Sequence, residues 1–484
     1  MAVQNLKNKT VKGTFWSAAD AFLGHGVTLL VGIVLARILS PAEYGLIGIV
    51  LIFTTILSGI VDSGFSSALI RKKNTTNEDY NTMFITNMIM SLLLFGLLWL
   101  CSPFIATFFE RPELTNITRV TGLVLIFQAL SITQVTILTK SIDFKTKTKA
   151  SAIAAVVSGI IGIGMALLGY GVWSLVGQQL SNRLIYSICL WSFNRWWPNG
   201  KFSSSSFSYM WGFGWKMMLS GLLNNVWNQL YQVVVGKCYS PATLGQYSRS
   251  KEYAQIFSAN FTAIIQRVTY PALSELQDNR EHMVAAYRKV IRVTMFVTAI
   301  TMFFLGAVAE PFIYCLIGLQ WYEAATYLPL ICISMSLYPL HAINLNMLQV
   351  QGRSDIFLYL EIIKKIVSIG PICLGVFVGI YWMLVGSIVV GIISFFLNSY
   401  YTGRSINYSS WHQLHDVAPS YGIALILAVS VYFFKFLPFS CFFILPLQIV
   451  FGTIVFFAIC ETMKNSEYIE IKKIIQEGRI KLKK

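Results

Sequence analysis

The sequence predicts an all-α integral membrane protein of about fourteen transmembrane helices. Three observations carry this. Hydrophobic residues make up 55% of the 484 residues and charged residues only 12%, too little charge to cover the surface of a soluble chain of this size. The apolar residues come in blocks of roughly 20, the length that crosses about 30 Å of hydrocarbon at about 1.5 Å per residue. Lys and Arg gather in alternate connecting segments, as membrane topology requires. The short alternating segments of a membrane β-barrel are not seen.

In chain order the blocks lie near 13–36, 45–63, 82–103, 117–139, 149–169, 171–192 and 211–234. They continue at 247–269, 290–309, 324–348, 360–379, 381–400, 417–436 and 440–460. The first is too long for a signal peptide, carries Asp20 and His25, and lacks a small-x-small cleavage site, so it is read as a retained helix. With the amino terminus inside, inner segments hold Lys7, Lys9 and Lys12, then Arg71, Lys72 and Lys73, then Lys140, Lys145, Lys147 and Lys149. Seven more follow residue 460. Outer segments hold only Arg37, Arg111, Arg119, Lys237 and Lys435. Both termini are therefore expected in the cytoplasm. The eighth block is too polar to be found by hydropathy; it is kept because dropping it would put the Lys-rich tail outside.

An internal repeat supports the same count. ARILSPAEYG at 36–45 aligns with GKCYSPATLG at 236–245, and WSLVG at 173–177 with WMLVG at 382–386. Both pairs occur in the same order after equivalent spans. The expected organisation is two pseudo-symmetric six-helix bundles, 1–200 and 201–404, related by an axis along the membrane normal. Helices 13 and 14 at 405–462 stand outside the repeat, and a basic amphipathic cytoplasmic tail covers 463–484. In S-P-A-x-x-G, Pro is expected to stop one helix and Gly to let the chain re-enter.

Two such bundles create a cleft, where transporter sites commonly lie. Polar groups inside the bilayer are costly, so each is a site candidate. On the seventh span Lys216, Ser220, Asn224, Asn228 and Gln232 recur every four residues, with Asn225 and Gln229 beside them. On the eighth, Arg249 and Arg267 are five helical turns apart and share an azimuth with Asn260. The cargo-binding candidates are therefore Arg249, Lys216, Asn224, Asn228, Gln232, Asn260 and Arg267. Coupling-ion candidates are Asp20, Asp62 at the end of the second span, and Glu252. Gln178, Gln179, Asn182 and Arg183 interrupt the sixth span.

No Gly-rich phosphate loop, metal cluster or nucleophile triad is found, so no catalytic residue, metal or cofactor is expected. The eight cysteines contain no C-x-x-C pair and read as small buried hydrophobes. The net charge of +16 sits in short loops, which makes anionic lipid the sufficient partner and leaves nucleic acid out.

The chain resembles the polysaccharide-exporter branch of the multidrug/oligosaccharidyl-lipid/polysaccharide flippase superfamily. The residues that carry this are LARILSPAEYGLIG at 35–48, DSGFSSALIRK at 62–72, WSLVG at 173–177, LGQYSRSKE at 244–252 and RVTYPALSELQDN at 267–279. The resemblance implies translocation of a polyprenyl-pyrophosphate-linked oligosaccharide across the bacterial inner membrane by alternating access around a cationic cavity. It implies as partners the lipid-linked oligosaccharide, membrane lipid, and a polysaccharide polymerase with assembly proteins. Arg249 matches the family's eighth-helix arginine, whereas the first helix offers Asp20 and His25 where lipid-flippase relatives often place arginines. A cation-coupled drug antiporter of the same fold would favour acidic cavity residues. A membrane polymerase or glycosyltransferase would need a larger outer loop than any present.

Overall fold

The computed structural model describes residues 26–276 and 279–482. Asp20 and His25 therefore lie outside the described residues. Every described element is helical, and the chain divides into two compact units, Met1–Gly245 and Gln246–Lys484. Helix α1 covers Gly26–Ile38. It is followed by α2 (Pro41–Val61), α3 (Phe65–Arg71), α4 (Asn77–Phe108), α5 (Leu114–Thr121) and α6 (Leu123–Lys140). Then come α7 (Phe144–Leu167), α8 (Val172–Asn194), α9 (Ser204–Cys238), α10 (Pro241–Phe257) and α11 (Ala259–Glu275). The second unit continues with α12 (Arg280–Ala307), α13 (Ala309–Ile317), α14 (Tyr322–Ser336), α15 (Tyr338–Val350) and α16 (Ser354–Val367). It ends with α17 (Ile369–Phe377), α18 (Ile380–Ile406), α19 (Ser410–Tyr432), α20 (Cys441–Thr462) and α21 (Ser466–Leu482).

Among the described residues nine helical segments are long and apolar enough to cross a membrane. The other expected spans also fall on helices, but on shorter or more polar ones: α1, α8, α9, the α10–α11 pair and the α16–α17 pair.

In the first unit, small residues allow close helix packing. The α7 face Ala154, Ala155, Ser158, Gly159 and Gly162 is buried, and a Cβ on Gly162 would come 2.9 Å from Cβ of Gln178 on α8. The segment before α9 is pinned to α4 and α6. Ser203 N–H donates to Thr82 Oγ1 at 3.0 Å, Trp196 Nε1 to Asn77 Oδ1 at 2.7 Å, and Gln134 Nε2 to the Trp196 carbonyl at 2.9 Å. So α9, which opens the second sequence copy, packs in the first unit along α2 and α3. Sequence repeat and packing unit are different divisions of this chain.

The duplicated S-P-A-x-x-G motif works differently from the turn expected. Ser40 is an N-cap in a full capping box with Glu43, and Pro41 occupies the first turn of α2. Ser240 caps α10 likewise, its Oγ accepting from Thr243 N–H at 3.1 Å. Pro thus opens a helix in both copies. The glycines serve contact between the motifs: a Cβ on Gly45 would overlap the Pro241 carbonyl, and one on Gly245 the Pro41 carbonyl. The two copies meet backbone to backbone, which only a residue without a side chain allows.

In the second unit, the polar eighth span is accounted for by its neighbours. Pro339 has no N–H to give the carbonyl four residues earlier, Met335. Ser258 Oγ donates to that carbonyl at 2.6 Å. Gln246 caps the start of α14, accepting from Ala324 N–H at 3.0 Å and donating to the Gln320 carbonyl at 2.8 Å, and Ser250 Oγ donates to the Ala324 carbonyl at 2.8 Å. Deeper in the unit, Asn344 accepts from Tyr287 Oη at 2.9 Å and donates to Gln413 Oε1 at 3.0 Å, joining α12, α15 and α19.

The tail helix α21 is docked. Arg292 donates to Glu467 and to Ser466 Oγ, each at 2.6 Å, Lys289 pairs with Glu470, and Tyr468 and Ile471 pack on the Phe296, Ile423 and Cys460 cluster. Its first turns therefore sit on α12 and α20, where the sequence suggests a membrane-surface helix.

Gly45→Ala should sharply lower the yield of monodisperse protein in fluorescence-detected gel filtration, because the added carbon meets a carbonyl that cannot move aside. Gly96→Ala, which meets nothing within 4 Å, should leave the profile unchanged.

Candidate functional site

The expected polar stripe lies on one continuous helix, α9, of 35 residues. Lys216, Asn224 and Asn228 are exposed on the first unit, as is Ser220, and Gln232 is half-buried. Asn225 and Gln229 turn inward; Gly59 on α2 makes room for the Asn225 amide, which would lie 2.6 Å from a Cβ there. Gln229 Oε1 is buried without a hydrogen-bond partner among the described residues. The stripe thus divides into an outward row free to meet a ligand and an inner pair used against α2.

On α10 Arg249 is 8% exposed and Nη1 donates to Glu252 Oε2 at 2.7 Å, an i,i+3 pair. Lys251 lies 5.9 Å from the Tyr247 ring centroid. Gln246 and Ser250 of the same helix bond the 320–324 segment, and Arg249 is buried on the flank of that packed face. Glu252 is about half exposed, with 49% of its side chain accessible, so the pair is open on its acidic side.

The remaining candidates are not gathered at this pair. A break at Ser258 separates α10 from α11, so the straight-helix azimuth drawn from Arg249 to Arg267 does not apply. Asn260 is half-buried in the first turn of α11. The Arg267 side chain falls outside what the structure describes, and Asp20 lies outside the described residues. Asp62 caps α3: its Oδ1 accepts from Ser66 N–H at 3.2 Å and Ser66 Oγ at 2.5 Å, and Ser66 Oγ lies 2.9 Å from Thr136 Oγ1. That carboxylate has a structural task already.

A cavity of about 300 Å³ inside the first unit is lined by Thr28 of α1, by Leu51, Thr54, Thr55 and Ser58 of α2, and by Val124, Ala155 and Ser158. Gln178, Gln179, Asn182 and Arg183 of α8 complete it. Asn182 Nδ2 donates to Ser158 Oγ at 3.1 Å. The α2 residues recur at i, i+3, i+4 and i+7, and the α8 residues at i, i+1, i+4 and i+5, so each set forms one helix face. Sequence reasoning saw the α8 residues only as an interruption. The signal that would have found the cavity is the matching face of small hydroxyls on α2.

Residues 34–326, well over half of the chain, match the family model described as polysaccharide biosynthesis protein. The chain belongs to that family. The expected polysaccharide-exporter resemblance is borne out. The chain is 26% identical over 369 residues to the succinoglycan biosynthesis transport protein ExoT of Rhizobium meliloti (strain 1021), covering 76% of this chain and 74% of the relative. It is 22% identical to the lipopolysaccharide biosynthesis protein WzxC of Escherichia coli (strain K12), covering 84% of each. Among solved structures, the lipid II flippase MurJ matches with a TM-score of 0.71 at 16% identity, over 94% of this chain and 100% of that one. An inward-facing multidrug resistance MATE family transporter matches with a TM-score of 0.62 at 17% identity, over 79% and 95%. At these identities the structural matches establish the fold, a multi-pass helical membrane bundle.

A double-mutant cycle should measure the Arg249–Glu252 pair. Arg249→Gln and Glu252→Gln should each lower the detergent-solubilised melting temperature, and the double variant should lose less than the sum of the two, with a coupling of about 0.5–3 kcal/mol. Strict additivity would show that the two side chains do not interact.

Proposed function

We propose that this protein is a flippase that moves a polyprenyl-pyrophosphate-linked oligosaccharide from the inner to the outer leaflet of the bacterial cytoplasmic membrane by alternating access. The observation that carries this is the family match over 34–326, with its relatives named as transport and biosynthesis proteins of extracellular polysaccharides. The proposed topology has fourteen spans with both termini in the cytoplasm. It comprises sequence copies 1–200 and 201–404, helices 13 and 14 at 405–462, and the tail from 463.

The chemistry of the candidate residues suits that cargo. A pyrophosphate diester carries about two negative charges and needs guanidinium or ammonium partners where water is scarce. Arg249, Lys216 and Arg267 are assigned to it. Sugar hydroxyls need groups that both donate and accept, which Asn224, Asn228, Gln232 and Asn260 supply. The lipid tail stays in the bilayer, so the protein has only the polar head to shield. Glu252 holds Arg249 in place between cycles, and Asp20 is the proposed site of coupling to a proton or sodium gradient, with Asp62 given to helix capping instead. The protein works as a transporter beside a polymerase and assembly proteins. A cation-coupled drug antiporter is disfavoured because the described lining of the first-unit cavity is one guanidinium with hydroxyl and amide side chains.

In a strain deleted for this gene, the wild-type chain should restore surface polysaccharide. Arg249→Ala should reduce it by about 10-fold or more, with normal membrane expression, since a lost charge-assisted hydrogen bond costs about 1.5–3 kcal/mol. Normal surface polysaccharide with this variant would remove Arg249 from cargo binding. No accumulation of lipid-linked oligosaccharide in the deletion strain would overturn the flippase reading itself. In proteoliposomes, Asp20→Asn should abolish dependence on the imposed gradient; unchanged dependence would take Asp20 out of the mechanism.

A further inference from the structure

Arg183 stands at the centre of α8, the twelfth residue of 23. An arginine there costs about 2.5–3.5 kcal/mol on membrane-insertion scales, so its retention calls for a partner. Among the described residues Arg183 forms no ion pair and the lining of its cavity includes no Asp or Glu. The rest of the lining is neutral and rich in hydrogen-bonding groups: Thr28, Thr54, Thr55, Ser58, Ser158 and the amides of Gln178, Gln179 and Asn182. A hole of about 300 Å³ is far larger than one water and comparable to the smallest ligand pockets.

Charge and shape can be weighed together. A cavity that bound a metal ion or a proton for coupling would need carboxylates, and one that bound an apolar drug would not be lined by eight hydroxyl and amide side chains. One guanidinium ringed by neutral donors fits a phosphate-type anion carrying hydroxyl groups. Several of the hydroxyls are already partly engaged: Thr54 Oγ1 donates to the Val50 carbonyl at 3.3 Å and Ser158 Oγ to that of Ala155 at 3.2 Å. The Thr54 oxygen therefore remains as an acceptor for a sugar hydroxyl, Ser158 Oγ already accepts from Asn182, and the Gln178 and Gln179 amides and Arg183 supply donors.

We infer that the open cavity lined by α1, α2, α6, α7 and α8 is an anion site, in which the exposed Arg183 binds the phosphate of a lipid-linked glycan and the hydroxyl face of α2 accepts from the adjoining sugar. It rests on the flippase reading and adds to it a site wholly within the first unit, separate from Arg249. The first unit thereby obtains a cation that the first helix, with Asp20 and His25, does not provide.

The test uses the full-length protein in nanodiscs and reads tryptophan fluorescence on titration with three probes: undecaprenyl pyrophosphate, undecaprenol and inorganic pyrophosphate. Wild type should bind the pyrophosphate lipid, ignore the neutral alcohol, and be competed by inorganic pyrophosphate. Arg183→Gln should weaken pyrophosphate-lipid binding about 10-fold or more, with Arg183→Lys in between. Thr55→Phe, which fills the cavity from an exposed position of α2 and leaves the charge in place, should lose the same probe and covers the case in which Arg183→Gln fails to fold. Equal binding by wild type, Arg183→Gln and Thr55→Phe would overturn the site while leaving the flippase reading standing. Failure of the wild type to bind the lipid pyrophosphate would instead count against the flippase reading. Binding of inorganic pyrophosphate that Arg183→Gln does not change would place the anion elsewhere.

Discussion

Inside a bilayer a polar group that finds no partner has no water to fall back on, and this protein is organised around that constraint. Pro339 shows it most directly. It opens α15 where the chain must bend, and in doing so it strands the Met335 carbonyl. Ser258 on another helix supplies the missing donor. Gln246 and Ser250, about three and two turns earlier, satisfy the irregular start of α14 in the same way. The bends of one span are thus completed by the side chains of its neighbour, and the neighbour's low hydropathy follows from that task.

The two sequence copies use one scaffold for different ends. At an offset of 200 residues, Phe53 corresponds to Tyr253, and each makes an edge-on contact, with Phe109 at 6.2 Å and with Phe312 at 5.6 Å. Four residues before each aromatic the copies diverge: Ile49 is fully buried in the first unit, and Arg249 occupies its place in the second. Packing residues are kept where helices must fit together, and a charge has been introduced on a face whose apolar counterpart is core. That asymmetry is what a substrate-facing position within a duplicated fold would require.

Helix content and membrane character were legible from block length and charge placement, because both are set by bilayer thickness rather than by details of packing. The α9 stripe was legible for a related reason: spacing of four residues needs no tertiary information. What was missed depended on partners far apart in sequence. The roles of Pro41 and Gly45 are visible only once Pro241 and Gly245 lie against them. Arg183 looked like an interruption because its cavity takes its other wall from α2, more than a hundred residues earlier.

The two arginines proposed to bind the anion would differ in how tightly they hold it, and the proposed transport cycle would use that difference. Arg249 already has an acidic partner at 2.7 Å, so a phosphate must compete with Glu252 and gains only the difference between the two interactions. Arg183 has no carboxylate in its cavity among the described residues, so an anion bound there would recover more of the cost of keeping a guanidinium in the membrane. A carrier with two sites of the second kind would bind its cargo and keep it. In the proposed cycle one strong and one conditional site would give the head group a place to be captured and a place from which it can be displaced, with Glu252 competing for Arg249 at release.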